Sequence, residues 1–357
     1  MNIAVACGGT GGHTFPGLAT ARALMDRGCN VSLWLAGKDV ENDSVKGWKG
    51  RVVTVPAEGF QFGAFRSFLT ALRILRAVAI CWWKMRRHRP DVVLAMGSYA
   101  SIGPCFAARL RGIPYVLHEA NAVPGKAVRL LAGGAAAVGI CFEEIRYHLK
   151  GINLVLTGMP LRPELKQNAG VSAPEMFSLL VMGGSGGAHA LNETVPAAVC
   201  GLPARGRIHV VHLAGSKDEE TVSERYRAAG VSADVFAFTH DMASLYRNAA
   251  FAICRSGASS CTELCLFGVP SLLIPYPHAA GDHQTANARA LEKCGAADLI
   301  QQSDLTVDWL QDYLSAQLEN SERLGKMRAR AAACGDLCRT TDAAENLAEL
   351  VEQCARK

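Results

Sequence analysis

Two glycine-rich segments with nearly the same sequence constrain this chain most strongly. Residues 8–13 read GGTGGH and residues 183–188 read GGSGGA, and each segment separates a short apolar run from a helical pattern. A glycine loop between a strand and a helix lets backbone N–H groups approach a phosphate group at the helix N-terminus. Neither segment is a P-loop or a clean dinucleotide fingerprint, so a tight strand-to-helix turn is the alternative interpretation. The repeat predicts that the chain folds as two similar halves.

Short apolar runs alternate with helical patterns in both halves, which predicts βαβ units and parallel sheets. The predicted fold class is therefore α/β, with two doubly wound domains. At 357 residues the chain also exceeds the size at which a single hydrophobic core stops growing. The predicted strands are residues 3–7, 31–35, 52–55, 92–96, 115–118 and 135–140 in the first half, and 178–182, 208–213, 235–238, 251–254 and 271–274 in the second.

The domain boundary is predicted beside the segment GMPLRP at residues 158–163. This gives an N-terminal domain over residues 1–160, a C-terminal domain over residues 161–340, and a final helix over residues 341–357 that packs back on the N-terminal domain. Residues 1–160 carry 19 Lys and Arg against 9 Asp and Glu, a net charge of +10, whereas the remainder carries 18 against 23, a net charge of −5. The basic first half predicts contact with an anionic surface or substrate.

Several classes of protein are disfavoured by composition. No run of roughly 18 uncharged apolar residues is present, which predicts no membrane-spanning helix, and the first residues lack the basic region of a secretory signal. The 13 cysteines lie in apolar stretches without paired metal-ligand spacing, which favours buried, reduced thiols in a cytoplasm. No Asp-x-Asp pair occurs either. We therefore predict no metal site, no cofactor and no nucleic-acid partner.

The segment SGASS at residues 256–260 is a second candidate phosphate site, because it follows the predicted strand 251–254 and leads into a helical pattern. Small residues and unpaired N–H groups at a helix start favour a diphosphate. Glu263, one turn further on, has a carboxylate that can accept two hydrogen bonds from a ribose diol. The alternative is an ordinary serine-capped helix with a glutamate in its first turns.

Five motifs follow one another along the chain: GGTGGHTFPG at 8–17, HEAN at 118–121, GGSGGAHALN at 183–192, CRSGASSCTE at 254–263 and DHQTANA at 282–288. Together they resemble the MurG family, and the resemblance covers essentially the whole chain. It implies a GT-B architecture, with two Rossmann-like domains facing a deep cleft, the sugar nucleotide mainly on the second domain and a lipid acceptor on the first. It implies an inverting transferase that moves N-acetylglucosamine from UDP-N-acetylglucosamine (UDP-GlcNAc) to the 4-hydroxyl of N-acetylmuramic acid in undecaprenyl-linked lipid I, giving lipid II for peptidoglycan synthesis.

The resemblance also implies roles for individual residues. The diphosphate and ribose contacts are Ser185, Ala258, Ser259, Ser260 and Glu263, with Thr239 beside the uracil. The other implied substrate contacts are Thr10, Gly11, Gly12, Tyr99, Asn121, Arg162, Cys261, Thr262 and Gln284. The chain departs from the family pattern around the implied cleft at Ser98, Ala120, Met159 and Gly186.

Glycosyl transfer needs a base for the attacking hydroxyl and positive potential for the leaving diphosphate. His13 follows the first glycine loop, and histidine has an ordinary pKa near neutrality, so His13 is a candidate base. Its alternative role is phosphate binding or local capping at the helix start, and Glu119 is the second candidate base. Arg162 and the helix N-termini are predicted to balance the diphosphate charge without a metal ion.

Residues 66–89 combine an apolar helical stripe with Trp82, Trp83 and a series of basic residues. Tryptophan and cations beside an apolar stripe suit an anionic membrane surface. The alternative is a crossover helix that packs on the sheet and leaves a solvated basic end. We predict a peripheral protein at the cytoplasmic face of the bacterial inner membrane, bound to its anionic surface.

Two other kinds of function fit the same sequence, because fold does not settle function. One is another sugar-nucleotide enzyme of this fold, with a different acceptor or with UDP-GlcNAc epimerase activity. The other is a catalytically silent nucleotide-sugar sensor in a cell-wall assembly. Release of UDP only when a polyprenyl-muramyl acceptor is present would distinguish the transferase from both.

Overall fold

The computed structural model describes residues 1–9, 11–40, 43–56, 64–167, 177–184, 186–337 and 342–356. The chain divides into two compact units, Met1–Arg162 with Cys338–Lys357, and Pro163–Leu337. Each unit holds one parallel sheet covered by helices, which confirms the predicted α/β class with two parallel-sheet domains. In the part of the chain that the structure describes, no helix is long and apolar enough to cross a membrane.

The first unit contains a seven-stranded sheet. Its strands are β1 (Asn2–Ala6), β2 (Asn30–Ala36), β3 (Arg51–Val55), β4 (Val92–Ala95), β5 (Tyr115–Glu119), β6 (Ala137–Ile140) and β7 (Leu154–Leu156). Their order across the sheet is β3-β2-β1-β4-β5-β6-β7. The strand order therefore reverses between β1 and β4, and ligands of such sheets bind beside the carboxyl ends of the strands at this switch point.

Helices cover both faces of the first sheet. They are α1 (Gly11–Asp26), α2 (Asp43–Lys46), α3 (Ala64–His88), α4 (Ile102–Leu110), α5 (Lys126–Leu131) and, from near the end of the chain, α14 (Ala343–Ala355). On one face, Leu347 and Val351 of α14 are buried with Leu24 of α1. On the other face, Met85 of α3 is buried with Cys105 of α4. The last helix thus belongs to the core of the first unit.

The second unit repeats the arrangement with six strands. They are β8 (Phe177–Met182), β9 (Ile208–Leu213), β10 (Ser232–Phe236), β11 (Phe251–Cys254), β12 (Ser271–Leu273) and β13 (Ala297–Leu299), in the order β10-β9-β8-β11-β12-β13. The strand order reverses between β8 and β11, so this unit has a switch point of its own. Its helices are α6 (Pro163–Gln167), α7 (His189–Gly201), α8 (Glu219–Ala228), α9 (Met242–Asn248), α10 (Ala258–Leu266), α11 (His283–Lys293), α12 (Val307–Glu319) and α13 (Ser321–Leu337).

The sheet edges differ from the sequence prediction. Strands β7 and β13 were not predicted, because each has only three residues and lies at a sheet edge, where no long apolar run is needed. Strand β10 begins at Ser232, three residues before the predicted segment 235–238, because this edge strand alternates exposed and half-buried positions. The buried central strands agree with the predicted segments to within a residue or two.

Candidate functional site

The first glycine loop connects β1 to α1 and is braced by a buried carboxylate. Gly8 and Gly9 have φ angles of +126° and +95°, which other residues rarely adopt. The Gly9 N–H donates to Asp39 Oδ2 at 2.8 Å, and a Cβ on Gly8 would lie 2.4 Å from the same oxygen. Asp39 is only 8% exposed. Asp39 could not be identified from the sequence, because its partner lies 30 residues away and no motif contains it.

Several of the sequence-predicted residues of the first unit lie around the switch point between β1 and β4. Gly11 and Gly12 are exposed at the start of α1, and His13 is half-buried in its first turn. The loop after β4 approaches them, since a Cβ on Gly9 would lie 3.7 Å from Ser98 Cβ. Exposed Tyr99 follows in that loop. Thr10 lies outside the described residues.

Glu119 ends β5 and holds the loop that follows it. Its Oε1 accepts hydrogen bonds from the backbone N–H and the Nδ2 of Asn121 at 2.9 and 3.1 Å, and its Oε2 accepts from the Gly125 N–H at 2.8 Å. The carboxylate is buried, at 4% exposure. Both carboxylate oxygens of Glu119 therefore accept hydrogen bonds from the loop that follows β5, and these bonds orient Asn121.

His118 precedes Glu119 and is fully buried. Its Nε2 lies 3.1 Å from the Gly158 carbonyl oxygen and 3.4 Å from Cys141 Sγ. Burial, together with a smaller effect of nearby His13, lowers the pKa of His118 to about 4, although the hydrogen bond to Gly158 acts in the opposite direction. His118 is therefore neutral at physiological pH, and it is a buried structural residue beneath the site.

Arg162 lies near the first turns of α1. Its guanidinium carbon is 5.1 Å from the centroid of the Phe15 ring, within the range of a cation–π contact. Phe15 is two residues beyond His13. The structure therefore brings Arg162 towards the helix that carries the candidate base.

In the second unit, α10 starts at the carboxyl end of β11 without a side-chain cap. Its N-cap is Gly257 with φ −63° and ψ 145°, and no side chain accepts a hydrogen bond there. Ser259 and Ser260 are half-buried in the first turn, whereas Ala258 is nearly covered. The opening of α10 therefore presents small residues and helix N–H groups, the features that suit an anion.

Two of the predicted contacts on α10 face the core instead. Cys261 has no exposed surface, and its N–H donates to the Gly257 carbonyl oxygen at 2.9 Å. Thr262 is 8% exposed, and its hydroxyl donates to the Ala258 carbonyl oxygen at 2.9 Å. Consecutive helix residues point in different directions, so a motif match across residues 258–263 includes residues that pack inward. In this conformation neither side chain is available to a substrate.

Glu263 is half-buried and is held by a tyrosine. Its Oε2 accepts a hydrogen bond from the Tyr246 hydroxyl at 2.8 Å. Tyr246 is fully buried on α9 and stacks on Phe267, with ring centroids 5.4 Å apart. The α9 helix starts just after Thr239, whose Oγ1 accepts from the Asp241 N–H at 3.1 Å. The predicted uracil and ribose contacts are thus linked through α9, and Tyr246 was missed because it belongs to no motif.

Gln284 lies in the first turn of α11 and is joined to Ser256, which precedes α10. The Ser256 hydroxyl donates to the Gln284 carbonyl oxygen at 2.8 Å, and Asn287 Nδ2 donates to the Ser256 carbonyl oxygen at 3.0 Å. The side-chain Oε1 of Gln284 accepts from the Tyr276 N–H at 2.9 Å. These bonds fix the position of Gln284 relative to Ser256.

The second glycine loop connects β8 to α7. Gly184 and Gly187 have φ angles of +94° and +76°. A Cβ on Gly187 would lie 2.1 Å from the Ala214 carbonyl oxygen, so this position requires glycine. Ser185 lies outside the described residues. Within the described parts of the chain, no cluster of three or more His, Cys, Asp or Glu side chains is arranged to hold a metal ion.

The sequence is similar to those of known glycosyltransferases over almost its whole length. Residues 3–140 match the glycosyltransferase family 28 N-terminal domain, and residues 178–351 match the family 28 C-terminal domain. A UDP-N-acetylglucosamine–N-acetylmuramyl-(pentapeptide) pyrophosphoryl-undecaprenol N-acetylglucosamine transferase of Hahella chejuensis is 40% identical over 98% of this chain and 96% of its own length. The transferase of the same name from Cupriavidus metallidurans is 40% identical over 99% and 98%.

Solved structures agree as well. The crystal structure of Acinetobacter baumannii MurG aligns over 99% of both chains with a TM-score of 0.82 and 31% identity. A calicheamicin glycosyltransferase aligns with a TM-score of 0.72 at 15% identity, which reflects the shared fold alone. The fold and the family match thus define a glycosyltransferase of the GT-B type. The chain belongs to glycosyltransferase family 28 and, within it, to the MurG family.

Proposed function

We propose that this glycosyltransferase moves N-acetylglucosamine from UDP-GlcNAc to the 4-hydroxyl of the N-acetylmuramyl group of lipid I, giving lipid II. The observation that carries the proposal is the 40% identity, over almost the full length of both chains, to transferases named for this reaction. Each unit also contributes a glycine loop and a helix start at its own switch point.

The donor is assigned to the second unit. The uncapped start of α10, with Ser259 and Ser260, offers N–H and hydroxyl donors to the diphosphate. Glu263, held by Tyr246, offers carboxylate oxygen to the ribose diol, and Gln284 is fixed next to the same helix start. Charge-assisted hydrogen bonds of this kind are about twice as strong as neutral ones, so Glu263 carries much of the donor affinity.

The catalytic base is assigned to His13. Glu119 already accepts three hydrogen bonds from its own loop and is nearly covered, so its role is to position Asn121. His13 stands half-buried at the start of α1. In the proposed reaction, His13 accepts the proton of the 4-hydroxyl as that oxygen bonds to the anomeric carbon, and UDP leaves with the electron pair of the broken bond.

The membrane partner is assigned to an exposed surface formed by α3 and the end of α4. Three apolar side chains are largely exposed there: Leu75 at 64%, Trp83 at 50% and Leu110 at 70%. Met85 and Cys81, also on α3, are buried in the core. Arg87 lies 4.2 Å from the ring centroid of Trp83. Exposed leucine and tryptophan beside arginine suit the anionic cytoplasmic surface of the inner membrane. This surface would hold the enzyme near its lipid-linked acceptor.

The test is release of UDP by the purified full chain with a matrix of donors and acceptors. We expect turnover with UDP-GlcNAc only when a polyprenyl-pyrophosphoryl-muramyl acceptor is present, with inversion at the anomeric carbon. Turnover with UDP-GlcNAc alone, with release of an epimerised sugar, would favour an epimerase instead. Binding of UDP-GlcNAc without turnover on any acceptor would favour a sensor.

A further inference from the structure

The second unit contains a chain of hydrogen bonds, the His212 network, that runs from buried Tyr226 through buried His212 and Asn192 to half-buried Asp218. Tyr226, His212 and Asn192 are each at most 1% exposed. His212 Nδ1 lies 3.1 Å from the Tyr226 hydroxyl, and His212 Nε2 lies 3.0 Å from Asn192 Oδ1. Asn192 Nδ2 in turn donates to the Ala214 carbonyl oxygen and to Asp218 Oδ2, both at 2.8 Å. The proposed reaction uses none of these residues directly.

Only one arrangement of protons satisfies this network. Asn192 Nδ2 faces two oxygen atoms that can only accept, which fixes the orientation of the amide and leaves Oδ1 as an acceptor. His212 Nε2 must therefore carry the proton. Burial lowers the pKa of His212 to about 3, so the ring is neutral and its Nδ1 accepts from Tyr226. A fully satisfied buried network of this kind holds its members in one position.

The network ends at the second glycine loop. The Ala214 carbonyl oxygen, which Asn192 holds, lies against Gly187 so closely that no Cβ fits between them. A Cβ on the neighbouring Gly215 would likewise lie 2.8 Å from the Gly186 carbonyl oxygen. The backbone after β9 therefore packs directly on the glycine loop, with no side chain between them to absorb a displacement.

We infer that His212 is a positioning residue for donor binding: by donating to Asn192, it fixes the Ala214 carbonyl and thereby the glycine loop that faces the donor diphosphate. The inference rests on the proposed function, because it takes this loop as part of the diphosphate site. It assigns His212 no contact with substrate. Its effect reaches the donor through Asn192 and two backbone segments.

Two substitutions of His212 test the roles of its two ring nitrogen atoms separately. His212→Gln brings an amide N–H close to the position of Nε2 and keeps a donor for Asn192. His212→Asn is too short to reach Asn192 and keeps a polar partner only for Tyr226. Tyr226→Phe removes the hydroxyl and leaves the Nε2 bond in place, so it controls for the general effect of losing a buried hydrogen bond.

The full chain of each variant would be tested by calorimetry for UDP affinity and by hydrogen exchange at the Gly187 amide, which donates to the Gly184 carbonyl oxygen at 3.0 Å. We expect His212→Asn to weaken UDP binding by about tenfold, the effect of roughly one hydrogen bond, and to speed Gly187 exchange. His212→Gln and Tyr226→Phe should stay within about threefold of the wild-type affinity.

Equal weakening by His212→Asn and His212→Gln would overturn the inference, because the donor to Asn192 would then be irrelevant. Wild-type affinity and unchanged Gly187 exchange in His212→Asn would overturn it as well. A wild-type chain that binds no UDP would instead refute the proposed function, and the exchange rates would still show whether His212 holds the loop.

Discussion

The two glycine loops have almost the same sequence, but different groups brace them. In the first unit, the carboxylate of Asp39 lies against the loop and accepts the Gly9 N–H. In the second unit, the neutral carbonyl of Ala214 lies against Gly187 and is itself held by Asn192. The carboxylate occupies a backbone N–H group that could otherwise bind an anion, and its negative charge repels an anion. The carbonyl carries no net charge and repels an anion less. Loops of similar sequence can therefore differ as anion sites, and we expect the second loop to bind a diphosphate better than the first.

The sharpest test of this contrast removes the candidate base of the first unit. His13→Ala should lower kcat by about 10²–10⁴-fold, the usual contribution of a general base, and leave UDP affinity unchanged. The matched control is His148→Ala, since His148 is an exposed histidine of the same unit and belongs to none of the motifs around the glycine loops. Turnover and calorimetry would be measured on both. Similar losses of kcat in the two variants would argue against a base at His13.

The complementary change is made in the second unit. Glu263→Ala should weaken UDP binding by about 1.5–3 kcal/mol, because it removes charge-assisted hydrogen bonds to the ribose. Glu292→Ala, at an exposed position on α11, is the control for the lost charge. Calorimetry with UDP gives the affinities. An unchanged UDP affinity in Glu263→Ala would show that Glu263 does not bind the ribose.

The brace of the first loop can be tested by itself. Asp39→Ala leaves the Gly9 N–H without its acceptor, so the first unit should lose about 1–3 kcal/mol of stability while UDP affinity is retained. Asp39→Asn keeps an acceptor oxygen and should lose less. Thermal unfolding and UDP calorimetry report the two quantities. If Asp39→Ala weakened UDP binding as much as Glu263→Ala does, the assignment of the donor to the second unit would fail.

The units should also differ in their response to lipid. Replacing Arg86, Arg87 and Arg89 together by Gln should reduce binding to anionic vesicles, because each cation near such a surface contributes about 1 kcal/mol at low salt. The control makes the same charge change in the second unit at three exposed positions, Arg207, Arg227 and Arg289. Co-sedimentation with anionic and neutral vesicles across a salt series is the measurement. Equal vesicle binding by both triple variants would show that α3 is a crossover helix with no part in lipid binding.

The smallest expected effect is that of a chelator. The sequence has no Asp-x-Asp pair, and helix starts together with Arg162 are expected to balance the diphosphate. Turnover in EDTA should therefore stay within about twofold of the untreated value, apart from any effect of ionic strength. Loss of activity that added magnesium restores would show that the reaction needs a cation at the donor diphosphate.

The sequence predicted the candidate site best where a functional segment also needs a particular local backbone geometry. Both glycine loops and the start of α10 could be located, because positive φ angles and uncapped helix starts demand particular residues in a row. Asp39 and Tyr246 were missed, since each acts on a partner far along the chain through a single hydrogen bond. Cys261 is a different case: the motif includes it although its side chain is buried, because a motif runs continuously along a helix while only one side of that helix is accessible. Edge strands β7 and β13 carry too few buried residues to leave a pattern.

The return of α14 to the first unit makes the second unit an insertion within the first. Strand β1 precedes the second unit and α14 follows it, yet Leu347 and Val351 share one hydrophobic cluster with Leu24. During synthesis, the second unit therefore leaves the ribosome whole while the first still lacks a helix that covers its sheet. A chain stopped shortly before α14 would keep every residue of the second unit and leave an apolar face of the first exposed to water.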